Sequence, residues 1–77
     1  MKPKPNNNIM YHFEIVTNTK KSLMDYFRKP QRYHWRIRRN GNIIATSETY
    51  YNLDDCTEVA THLQSKIKGA TLKHITE

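Results

Sequence analysis

The sequence predicts an α+β fold: a single β-β-β-α-β unit, an antiparallel sheet with one helix packed on one face. Three observations carry that prediction. Two stretches alternate apolar and polar residues, Asn40-Gly41 joins the second of them to a third extended segment, and a later segment repeats its apolar residues at spacings of three and four. Seventy-seven residues leave room for one small domain and a thin core.

Residues 1–9 hold two Lys-Pro pairs and three asparagines with little to bury, so they read as a disordered tail before a domain at 10–77. Tyr11 to Thr17 then alternates, with Tyr11, Phe13 and Ile15 on one face and His12, Glu14 and Val16 on the other. Arg32 to Arg39 alternates more sharply, setting Tyr33, Trp35 and Ile37 against His34, Arg36 and Arg38. Asn40-Gly41 suits a type I′ turn, in which both central residues need φ > 0, and Asn42 to Ser47 is the returning strand.

A two-residue turn fixes an expected register: Arg38 opposite Ile43, Ile37 opposite Ile44, Arg36 opposite Ala45, Trp35 opposite Thr46. Residues directly opposite share a face. Trp35, Ile37 and Ile44 should then be buried, with His34, Arg36 and Arg38 outside beside Ile43, Ala45 and Ser47.

The helix follows. Asn52 is a fitting N-cap, Asp54 and Asp55 suit the positive end of the dipole, and Asp55 is placed to close a capping box. Leu53, Cys56, Val59, Ala60, Leu63 and Ile67 form its apolar stripe, and Gly69 is the expected residue just past its end. Ala70 to Ile75 alternates weakly and reads as the fourth strand. Between the first two strands, residues 18–31 make a connection long for a hairpin. It is basic and carries Leu23, Met24, Tyr26 and Phe27, with room for one helical turn over Ser22 to Phe27 before Pro30.

Phe13-Glu14-Ile15, Trp35-Arg36-Ile37-Arg38, Asn40-Gly41, Ile43 to Glu48, Tyr50 and the helix around Cys56 resemble the YegP-like family, small bacterial and phage-borne domains of unknown function. The resemblance covers about Tyr11 to Ile67. It implies a homodimer in which two units share one sheet and exchange their last strands, here Ala70 to Ile75. It implies no reaction, cofactor or catalytic residue. The chain departs from the family pattern in two places: it is one residue short between Trp35 and Asn40, and the 18–31 loop is an insertion.

Charge points to a partner. Of a net +6, the stretch from Lys20 to Arg39 holds eight cations against Asp25 alone, so it carries +7 and the rest of the chain −1. Such a block attracts nucleic acid first, an acidic protein face second and anionic lipid third. Arg36 and Arg38 project together, roughly 7 Å apart, near the spacing of successive phosphates. The expected nucleic-acid site is therefore Arg36, Arg38, Arg39, His34, Lys20, Lys21, Arg28, Lys29 and Arg32. A plain solvated row paired with Glu14 is the competing reading. The second function class is a protein-interaction module, such as a phage-type inhibitor of a host protein, anchored by Leu23, Met24, Tyr26 and Phe27.

Other classes have little to build on. His12, His34, Glu14 and Ser47 superficially offer a base, an acid and a nucleophile, but an open sheet face does not exclude water. No cysteine or histidine pair has zinc-finger spacing, so neither metal, cofactor nor small-molecule substrate is expected. No apolar run approaches the roughly 20 residues that span a bilayer. Cys56 is the single cysteine, which fits a reducing, cytoplasmic compartment.

Overall fold

A computed structural model describes residues 10–20, 23, 27 and 29–77. The expected tail at 1–9 and most of the expected helical turn at 22–27 lie outside the described residues. The element order is β1 (Tyr11–Thr17), β2 (Tyr33–Arg39), β3 (Asn42–Thr46), α1 (Leu53–Gln64) and β4 (Thr71–Thr76). The β-β-β-α-β unit is present. No helix among the described residues is long and apolar enough to cross a membrane.

The sheet order is β3-β2-β1-β4. β1 runs antiparallel to β2, but parallel to β4. The sheet is therefore mixed, which corrects the expected antiparallel one. The reason is topological: α1 carries the chain back across the sheet, so β4 enters beside β1 in the same direction.

At the tight turn Asn40 and Gly41 have φ of 50° and 93°, as a type I′ turn demands. The turn is tied to the start of β1, since Asn40 N donates to Met10 O at 2.9 Å. Beyond the turn the simple register fails. Arg38 does face Ile43, but Ile37 faces Ala45 and Arg36 faces Thr46. Ile44 is the unmatched residue of a β-bulge, and instead of lining the core it is 52% exposed. The shift also carries Ala45 and Ser47 to the side of Ile37 and Trp35.

The core lies between one sheet face and α1. Phe13, Ile15, Cys56 and Ala60 are fully buried, with Tyr33, Trp35, Tyr50 and Leu72 packed against Ile15, Cys56 and Ala60. Trp35 lies beside the Phe13 ring, with centroids 6.3 Å apart. The helical stripe is narrower than its spacing predicts: Leu53 and Val59 are exposed, because α1 packs over β1, β2 and β4 and does not reach β3.

Both helix ends depart from expectation. Asn52 caps by backbone geometry, while its side chain donates to Asp55 Oδ2 at 3.2 Å and to no backbone group. The helix closes at Ser65, and Gly69, at φ 82°, shapes the following turn into β4.

Candidate nucleic-acid interface

Alternation places His12, Glu14 and Val16 of β1 on the sheet face away from α1, opposite Arg38, Arg36 and His34 of β2. The parallel pairing brings Lys73 beside Glu14 and Ile75 beside Val16 on the same face. Glu14 is the hub. Its Oε1 accepts from Arg36 Nε at 2.6 Å and Arg38 Nε at 3.0 Å, and Lys73 Nζ stands 3.9 Å from Oε2. Arg36 Nη1 also meets the Glu77 carboxylate at 3.2 Å.

Arg36 and Arg38 are therefore not a free row. Their side chains are 13% and 29% exposed, and Arg38 Nη1 is bonded to Gly41 O. Mid-sheet position explains this: a carboxylate flanked by two strands would be desolvated alone, and the arginines supply its hydrogen bonds. Burial by itself raises the Glu14 pKa, but the hydrogen bonds and charges of Arg36 and Arg38 outweigh it and hold the carboxyl below its ordinary value. Arg36 is raised by the same hydrogen bond, which outweighs its own desolvation.

The other expected contacts separate into distinct roles. Arg32 holds the foot of the loop, donating from Nη1 to Lys20 O at 2.7 Å and Asn18 O at 3.2 Å. Lys20, Lys29 and Arg39 are exposed. His34 stands half-buried opposite Val16, which is itself fully buried on this face. Lys21, Arg28, Met24 and Tyr26 lie outside the described residues, whereas Leu23 and Phe27 are 72% and 77% exposed.

Two contributors to the Glu14 cluster, Lys73 and Glu77, escaped the sequence reading. Neither signals its position until β4 is known to run parallel to β1.

The imagined acid, base and nucleophile do not assemble. Ser47 Oγ accepts from Trp35 N at 2.9 Å and donates to Glu48 O, on the side away from the histidines. His12 Nδ1 is bonded to Thr71 Oγ1 at 2.6 Å. Among the described residues, no three His, Cys, Asp or Glu gather to hold a metal.

A family model described as a domain of unknown function, DUF1508, matches residues 29–73. The chain belongs to this family. The matched span covers β2, β3, α1 and the first half of β4, and it is consistent with the YegP-like resemblance. It begins only at the foot of the 18–31 loop, so β1 and most of that loop fall outside it. Comparison with curated proteins and with solved structures gives no significant match.

Proposed function

We propose that this DUF1508 domain is a small non-catalytic basic module that binds nucleic acid without regard to sequence. The observation that supports it is the +7 carried between Lys20 and Arg39. Since Glu14 engages Arg36 and Arg38, phosphate contact falls first on the exposed Lys20, Lys29 and Arg39, with Lys73 on the outer sheet face. A sparse set of cations contacts phosphates and reads no base edges.

Fluorescence anisotropy across a salt series tests this on a short duplex and a single strand. Each phosphate neutralised on the duplex adds about 0.9 to the slope of log affinity against log salt. Replacing Lys29 and Arg39 by glutamine is expected to flatten the slope by about two and leave the fold intact. Absence of binding at low salt would end this reading. The exposed Leu23 and Phe27 would then favour the alternative, a protein-interaction loop that also includes Met24 and Tyr26.

The proposal includes a YegP-like homodimer with exchanged C-terminal strands, acting in the reducing cytoplasm. Among the described residues both sheet edges, β3 and β4, are unpaired, and β3 is exposed along its whole length. Exchange would let each β4 keep its parallel register on a partner's β1. Light scattering at micromolar concentration should give about twice the 9.2 kDa chain mass. A clean monomer would sink the exchange.

A further inference from the structure

We infer that the sheet end next to the inserted loop is a stacking site for single-stranded nucleic acid, with Tyr51 as its platform and Lys29 as the adjoining phosphate contact. This rests on the nucleic-acid reading and narrows its substrate.

The geometry starts at Tyr50. Its backbone bridges to Tyr33, with Tyr50 N donating to Tyr33 O at 2.7 Å, and its hydroxyl accepts from Trp35 Nε1 at 3.2 Å. Tyr50 is therefore turned to the core. The chain bends at Tyr51, which is 48% exposed just before the helix cap. A bond from Thr49 Oγ1 to Gln31 Oε1, 3.0 Å long, fastens the end of the loop alongside. That places Lys29 Nζ 5.7 Å from the Tyr51 ring centroid.

Phe27, 77% exposed, lies two residues before Lys29, so its Cα is within about 7 Å of the Lys29 Cα. Bases stack on exposed aromatic rings and lysines neutralise phosphates, so a strand that displaces Lys29 from the Tyr51 face engages both groups. A duplex keeps its bases inside the stack and offers the ring nothing. A single strand offers both groups.

The test uses the full chain with a labelled twelve-nucleotide oligothymidine, a twelve-base-pair duplex and a polyglutamate peptide, all at low salt. Tyr51→Leu is expected to weaken oligothymidine binding at least about fivefold while leaving duplex binding unchanged, and Tyr51→Phe to retain full binding. Lys29→Gln should lower the salt slope on the single strand by about 0.7. Circular dichroism confirms that each variant keeps its fold. If Tyr51→Leu binds oligothymidine like the parent, the stacking site is overturned while nucleic-acid binding stands. If neither nucleic acid binds, both readings fall. Binding to polyglutamate alone would assign the patch to an acidic protein.

Discussion

Trp35→Ala is expected to leave the protein largely unfolded at room temperature. Trp35 sits on the central strand β2, opposite Ile15, with its ring beside Phe13 and its indole N–H donated to Tyr50. Truncation removes packing between the middle of the sheet and α1 and leaves the Tyr50 hydroxyl without its donor. Trp35 is half-buried against that core, so its loss costs about 3 kcal/mol, the low end for aromatic truncations and still most of what a core of this size supplies. Urea denaturation followed by circular dichroism measures it. Ile44→Ala is the matched control and should cost under about 1 kcal/mol, because the bulge holds Ile44 half in water. If Ile44→Ala destabilised as much as Trp35→Ala, the even register read from the turn would be right and the bulge wrong.

That contrast shows where the sequence was legible. Alternation identified β1 and β2, three-and-four spacing identified the helix, and the Asn40-Gly41 turn identified β3, which buries neither face. Alternation also put Trp35, Ile37, Phe13 and Ile15 on the helix side. A bulge leaves no such trace: Ile43-Ile44 reads as strand in either register, and only three-dimensional pairing shows that one residue is unmatched. Parallel pairing of β4 was likewise hidden, because its weak alternation says which residues face inward and nothing about direction. At the candidate site the alternation correctly grouped His34, Arg36 and Arg38. It was silent on whether two arginines meet phosphate or a buried carboxylate. Glu14, the one acidic residue of β1, was the clue to the second outcome.

Replacing both Arg36 and Arg38 by glutamine is therefore expected to destabilise the fold by about 3–5 kcal/mol at pH 7, since breaking a buried pair strands the remaining charge. Glu14 is only 4% exposed, and Lys73, 3.9 Å away on an exposed stem, is a weak substitute. The pH dependence gives the prediction its sign. In the parent the Glu14 pKa is depressed below 4.5, so its contribution is full above that value and is lost as pH falls through the lowered pKa. Without the arginines burial dominates and the pKa rises. The variant is then relieved by protonating Glu14, and it loses stability as pH climbs through the raised value. The gap between parent and variant should thus narrow from pH 7 to pH 4. Adding Glu14→Gln to the double variant should recover much of the loss at pH 7 and remove this pH dependence. Denaturant titrations of the three proteins at both pH values decide it. A double variant as stable as the parent at pH 7 would show that Glu14 does not depend on these arginines, freeing them for phosphate. If it is destabilised as expected, any loss of nucleic-acid binding in that variant reports unfolding, and the phosphate contacts must be probed at Lys20, Lys29, Arg39 and Lys73.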